Sequence, residues 1–97
     1  MYARVAKWEG GSADAIRESI QRIQQDAQGG PPEGVPSTGF TFLTDAEAGR
    51  VIAIALFETE EDLRKGDETL NAMSPPGDGM GQRTAVEMYE VAADLRM

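Results

Sequence analysis

The sequence predicts an α+β fold, in which one antiparallel sheet carries two helices on the same face. The prediction rests on the order of its segments, strand–helix–strand–strand–helix–strand, within 97 residues, and on turn-forming residues at most of the joints. Two strand–helix–strand halves in one short chain are typical of the ferredoxin-like βαββαβ sandwich. No residues remain to cover the second face of the sheet, so we expect a partner there.

The first strand and helix are indicated by the spacing of their apolar residues. Residues 2–8 alternate as a strand does. In a helix predicted for residues 13–27, one side carries the apolar residues Ile16, Ile20, Ile23 and Ala27. Ser12 stands where its hydroxyl can accept a hydrogen bond from the first turn. The run Gly29-Gly30-Pro31-Pro32 ends the helix.

A hairpin occupies the middle of the chain, with strands predicted at residues 38–44 and 50–57 around a turn at 45–49. The second of these strands is apolar on both faces: Ile52, Ile54 and Leu56 lie on one face, and Val51, Ala53, Ala55 and Phe57 on the other. A strand that is apolar on both faces is normally buried on both. This pattern favours a homodimer that covers the open side of the sheet.

The second helix is predicted for residues 59–73. Thr59 and Asp62 approximate a capping box at its start. Gly66 lies inside it and costs about 1 kcal/mol relative to alanine, so we expect the softer of the two helices. A loop rich in glycine and proline follows at residues 74–81, and the last strand is predicted at 84–93.

The composition excludes several classes of partner and location. The chain is 40% hydrophobic and 27% charged, as in an ordinary globular protein, and we expect one domain over residues 1–97. Its net charge of -8 argues against nucleic acid and anionic membranes as partners. It has no apolar run of about 20 residues and starts on a strand without a signal-peptide pattern, so we expect a cytoplasmic protein.

Two absent residue types exclude further chemistry. The chain has no cysteine and no histidine, which removes disulfides, thiolate nucleophiles, a Ser-His-Asp triad and haem ligation by either residue. A transition-metal site would need carboxylates alone, although tyrosine and methionine remain as haem ligands. We therefore predict neither a metal nor a cofactor.

Four segments resemble a known family: Met1–Val5, Thr44–Arg50, Phe57–Leu63 and Val86–Val91. They are similar to small actinobacterial proteins of the dimeric α+β barrel superfamily, close to the antibiotic-biosynthesis-monooxygenase-like group, over essentially the whole chain. The resemblance implies a homodimer whose sheets pack face to face into a barrel. It also implies a ligand pocket between the sheet and the helices of each subunit.

That superfamily includes cofactor-independent oxygenases, haem-degrading oxygenases, isomerases and proteins without known activity. The haem-degrading members use a histidine on the second helix, which this chain lacks. Oxygenases of polyketide-like phenols use an Asn/Trp/Tyr/Arg set. Residues of these types are present as Asn71, Trp8, Tyr89 and Arg4, but they do not match that motif by position.

Arg4 is the leading candidate site residue. It lies in an expected central strand and shares a face with Tyr2 and Trp8. Arginine is uncommon there unless it is paired or faces a polar cavity. Glu87 and Tyr89 share one face of the last strand, which should lie beside the first. We therefore expect a buried or half-buried Arg4–Glu87 pair with the Tyr89 hydroxyl beside it, either as a structural or interface ion pair or as a ligand anchor. Simple exposure of these side chains is the remaining alternative.

Trp8 and Asn71 complete the candidate set. Trp8 ends the first strand and fits either a core or interface lid or a stacking platform. Asn71 lies late in the second helix, facing either solvent or a ligand. The candidate ligand-binding residues are thus Tyr2, Arg4, Trp8, Asn71, Glu87 and Tyr89.

Two functions remain open. The first is a dimeric protein that binds a small apolar or aromatic ligand without catalysis. The second is a cofactor-independent monooxygenase or isomerase acting on a small aromatic or polyketide-like molecule in an apolar pocket.

Overall fold

The computed structural model describes residues 1–26, 34–72 and 81–95. In chain order the elements are β1 (Tyr2–Gly10), α1 (Ala13–Asp26), β2 (Gly39–Asp45), β3 (Arg50–Phe57), α2 (Glu60–Ala72) and β4 (Gly81–Glu90). Their order is the one that the sequence predicts. The predicted breaker run at residues 29–32 lies outside the described residues, as does all of the predicted 74–81 loop except Gly81.

The four strands form one antiparallel sheet in the order β2-β3-β1-β4. Both helices pack on the same face of this sheet, because Ile16 of α1 contacts Val51 and Leu63 of α2 clusters with Ala55 and Phe57, all on one side of β3. This is the predicted ferredoxin-like α+β fold. No helix in the described ranges is long and apolar enough to cross a membrane.

The helix starts are capped as expected. Ser12 Oγ accepts a hydrogen bond from the Ala15 amide at 3.3 Å, and Thr59 Oγ1 accepts one from the Asp62 amide at 3.1 Å. Each bond satisfies a donor that the first turn of a helix leaves unpaired. In the predicted stripe of α1, Ile16 is fully buried and Ile20 and Ile23 are half-buried. The fourth member, Ala27, lies outside the described residues.

α2 packs tightly onto β3 at Gly66. A Cβ atom added at this position would lie 2.5 Å from Cζ of Phe57, whose side chain is fully buried. The glycine that lowers helix propensity therefore permits tight packing of the helix onto the sheet. Its tertiary role outweighs the local cost that the sequence suggests.

Both faces of β3 are apolar, as the alternation predicts, but they differ in burial. Val51, Ala55 and Phe57 are buried beneath the helices, whereas Ile52, Ile54 and Leu56 on the other side are half-buried. The strand register shows which side chains of β1, β2 and β4 lie on the same face of the sheet as these three residues. We call this surface the open face; its side chains are Ala3, Val5, Lys7, Thr41, Leu43, Ile52, Ile54, Leu56, Ala85, Glu87 and Tyr89.

The last strand begins and ends three residues earlier than predicted, at Gly81 and Glu90 rather than at 84 and 93. Its limits are set by β1, because Gly81 pairs with Gly10 and Glu90 with Tyr2 at the two ends of that strand. Gly81 has a φ of 86°, a left-handed conformation that glycine adopts without strain. A residue interpreted as a loop breaker thus starts a strand.

Candidate functional site

Five of the six candidate residues divide between the two faces of the sheet, and the sixth, Asn71, lies on α2. Tyr2, Arg4 and Trp8 share one face of β1, as the sequence predicts, and the structure shows that this is the helix-facing side. Glu87 pairs with Val5 and Tyr89 with Ala3, so both lie on the open face. The predicted Arg4–Glu87 pair is therefore wrong. The two side chains project from opposite sides of the sheet.

Arg4 reaches α2 instead. Its Nε donates to Oδ1 of Asp67 at 2.8 Å, and its Nη2 donates to Oδ1 of Asn71 at 3.0 Å. The Arg4 side chain is only 5% exposed. A buried guanidinium is tolerated when it is paired and hydrogen-bonded in this way. Asp67 and Asn71 are four residues apart, so they lie on the same side of α2, the side that faces Arg4 of β1.

A second arginine, Arg83, donates a hydrogen bond to the same amide oxygen. Nη1 of Arg83 donates to Oδ1 of Asn71 at 2.8 Å, and Arg83 pairs with Trp8 where the register between β1 and β4 shifts. We call Arg4, Asp67, Asn71 and Arg83 the helix-side cluster. It contains two guanidinium groups and one carboxylate, so it carries a net positive charge in a chain whose total is -8.

Sequence reasoning missed Asp67 and Arg83. A signal for Asp67 was present, because Leu63, Asp67 and Asn71 follow one another at four-residue intervals on α2. Leu63 is buried, and the two polar residues continue its line toward Arg4. Arg83 carried no comparable signal, since it lies between the loop predicted at residues 74–81 and the strand predicted at 84–93.

An apolar surface adjoins the cluster on β4. Met88 pairs with Arg4 across the two strands and so lies on the helix-facing side, where it is 50% exposed. Val86, two residues earlier on the same side, is half-buried. The buried guanidinium of Arg4 therefore has a partly uncovered apolar strand beside it.

Tyr2 and Trp8 lie at opposite ends of the helix-facing side of β1. Tyr2 packs against the core group that includes Phe57 and Leu63, and Trp8 against Ile16 and Val51. Nε1 of Trp8 is buried and has no hydrogen-bond partner within the described parts of the chain. A buried indole N–H normally has one, so this donor is an unsatisfied polar group on the helix-facing side.

Glu87 and Tyr89 form a different group on the open face. Glu87 accepts from Lys7 Nζ at 2.9 Å and from the Tyr89 hydroxyl at 2.7 Å. These bonds, chiefly the one from Lys7, lower the pKa of Glu87 below its usual value. The hydrogen bond to Glu87 raises the pKa of both Lys7 and Tyr89. We call these three residues the open-face network.

A depression of about 500 Å³ lies where Lys7, Leu43 and Ile52 stand side by side across three strands. An ion pair between Arg50 and Asp45, at 3.1 Å, lies at its edge. This depression opens on the open face, opposite to the pocket between sheet and helices that the family resemblance implies. Among the residues that the structure describes, no cluster of three or more carboxylates could hold a metal ion.

Comparison with known proteins supports the fold. No family model and no curated protein matches the sequence. Among solved structures, the chain is similar to a crystal structure of a MhuD mutant with two manganese protoporphyrin IX molecules bound per active site. The match has a TM-score of 0.61 and 19% identity, and it covers 100% of both chains. At this identity the likeness establishes a shared ferredoxin-like α+β fold.

Proposed function

We propose that this chain is a small-molecule-binding protein that acts as a homodimer, with a ligand held between the sheet and the helices of each subunit. The observation that carries the proposal is the setting of Arg4. A buried arginine on a central strand is directed to the end of α2, beside the half-exposed Met88. A few polar groups beside an apolar surface are typical of sites for small organic molecules.

The expected ligand is apolar or aromatic with at least one polar atom. Met88 and Val86 supply apolar surface on β4, and a thioether adapts its shape to a flat ring. The guanidinium groups of the helix-side cluster supply donors. The unpaired indole N–H of Trp8 is a further donor on the same side of the sheet.

A homodimer would explain why the open face carries exposed apolar side chains. Leu43 and Tyr89 are 49% and 52% exposed there, next to the half-buried side chains of β3. A sheet face of this composition is normally covered. Lys7 and Glu87 provide charges of both signs on one surface, which suits a self-complementary interface between two copies of a chain. Packing two open faces together also gives the barrel that the family resemblance implies.

The similarity to MhuD raises the question of a metal porphyrin. The residues of α2 that are buried or that contact β1 and its surroundings are Leu63, Gly66, Asp67, Leu70 and Asn71. None is a usual axial ligand of a porphyrin metal, and the chain has no histidine or cysteine. The residues present therefore do not fit a porphyrin metal ligated from α2, and we propose a ligand without one. The monooxygenase or isomerase activity stays a prediction.

Nuclear magnetic resonance of the ¹⁵N-labelled protein, titrated with 2-naphthol, tests the proposal. We expect saturable shifts at Arg4, Asn71 and Met88. Replacement Met88→Asp should weaken binding at least about fivefold, because it places a charge against the ring. Leu43→Asp is the matched control, since Leu43 is equally exposed on the opposite face. Shifts confined to the open face, or no saturable shifts, would contradict a helix-side site.

A further inference from the structure

The side chain of Asn71 is hydrogen-bonded in an unusual way for an amide. Two guanidinium groups donate to one atom, Oδ1, at 3.0 Å from Arg4 and 2.8 Å from Arg83. Both partners are donors, so the atom between them has to be the amide oxygen rather than the nitrogen. The structure therefore places one neutral oxygen where two positive groups converge.

The charge at this point is only partly balanced. The carboxylate of Asp67 pairs with Arg4 through Nε at 2.8 Å. Within the described parts of the chain Arg83 forms no ion pair, and its hydrogen bond goes to the amide. An anionic oxygen forms shorter and roughly twice stronger bonds with guanidinium groups than a neutral one does. We call the place where Arg4 and Arg83 meet Asn71 Oδ1 the convergence point. It has the hydrogen-bond donors and the positive charge that bind a carboxylate.

We propose that the carboxylate of an aromatic or apolar carboxylic acid binds between Arg4 and Arg83, in the place that Asn71 Oδ1 holds without ligand. This inference rests on the proposed function and names the class of its ligand. Asn71 is exposed and lies one residue before the end of α2, so a rotation of its side chain can vacate the site. The body of the ligand then lies on Met88, which pairs with Arg4 across the sheet.

Charge selection is the first test. 2-Naphthoate and its neutral analogue 2-naphthamide have the same ring and nearly the same shape. At pH 7 we expect naphthoate to bind at least about tenfold more tightly, with shifts of the Nε–H resonances of Arg4 and Arg83. Arg83→Gln should reduce this preference to about twofold or less. Equal binding of the two probes to the unmodified protein would overturn the proposal.

Variants of Asn71 provide a second test, whose first measurement, the melting temperature, needs no ligand. Asn71→Asp places a built-in carboxylate at the convergence point, so we expect the melting temperature to rise by about 5 °C and naphthoate binding to fall at least tenfold. The matched control is Ala72→Asp, which adds the same charge one residue later on the exposed helix end. A negative charge near a helix C-terminus is ordinarily unfavourable, so the control should melt lower than the unmodified protein.

The outcomes separate the two proposals. If 2-naphthol binds on the helix side but naphthoate shows no advantage, the binding function stands and the carboxylate site is wrong. If Asn71→Asp melts as low as Ala72→Asp, the convergence point is not an anion site. If none of the three naphthalene probes binds, both proposals fail.

Discussion

The two faces of the sheet hold ionic groups in contrasting settings. On the helix-facing side, the side chains of Arg4 and Asp67 are 5% and 21% exposed. On the open face, those of Lys7 and Glu87 are 44% and 38% exposed. Both pairs have N–O distances near 2.9 Å, so length does not distinguish them. Their burial does: the first pair is enclosed between β1 and α2, where we propose the ligand, whereas the second is open to solvent on the surface that we propose for the partner.

Two adjacent residues of β3 test the contrast most strongly. Ala55 is 3% exposed beneath the helices, whereas Ile54 is half-buried on the open face. We expect Ala55→Lys to abolish folding, because its ammonium group has no room and no partner in the core. Ile54→Lys should leave a folded chain that no longer forms dimers. Circular dichroism and gel filtration measure both effects; similar behaviour of the two variants would contradict the assignment of the faces.

Removal of one acidic residue from each pair gives the next largest difference. Asp67→Ala leaves the buried guanidinium of Arg4 without its counter-charge and should cost about 3 kcal/mol. Glu87→Ala removes a partner from an exposed pair, which water screens well, so its urea midpoint should stay close to that of the unmodified protein. Urea denaturation, performed at concentrations low enough to avoid association, compares them. A larger loss from Glu87→Ala would reverse the comparison.

The contact between Gly66 and Phe57 shows how tightly the helix-facing side is packed. In an exposed helix interior, Gly→Ala stabilises by up to about 1 kcal/mol. Here we expect Gly66→Ala to destabilise by about 2 kcal/mol, since the added methyl group overlaps the Phe57 ring.

The destabilisation caused by Gly66→Ala should be smaller in a Phe57→Leu background, and a double-mutant cycle measures this difference. Lys65→Ala, at the exposed neighbouring position, serves as the control for helix propensity. An additive cycle would mean that the two residues do not meet.

The open-face network adds the smallest effect, a dependence on pH. Because the pKa of Glu87 is lowered in the fold, its contribution is present above the usual carboxyl range and lost as the pH falls below about 4. The pKa values of Lys7 and Tyr89 are raised, so their contributions are lost as the pH rises above about 10. We expect Glu87→Gln to reduce the fall in the free energy of unfolding as the pH drops below about 4. An unchanged fall would contradict this.

The architecture could be predicted because it depends on short-range patterns. The alternation on β3 has a period of two and shows both faces directly, and Ser12 and Thr59 mark helix starts that local hydrogen bonds explain. Each of these signals lies within a few residues of the structure it specifies. Tertiary contacts changed only the strand limits and the meaning of Gly66.

The partner of Arg4 could not be predicted in the same way. Which side of β4 faces the helices depends on its register with β1, and a slip of one residue exchanges the two sides. That register includes a shift next to Trp8 and starts from a pair of glycines, Gly10 and Gly81. Neither feature has a local signal, so Glu87 was assigned to the wrong face. Asp67 was overlooked as the partner of Arg4 although its spacing on α2 indicated that it faces the sheet.

Sedimentation velocity of the unmodified protein at pH 7, beside Ile54→Lys, tests the central claim that one face of the sheet serves self-association and the other the ligand. We predict a mass of two chains for the unmodified protein at micromolar concentration, and of one chain for the variant, with 2-naphthol shifts at Arg4 and Met88 retained in both. A monomer at every concentration, or an Ile54→Lys variant that stays dimeric, would contradict the account.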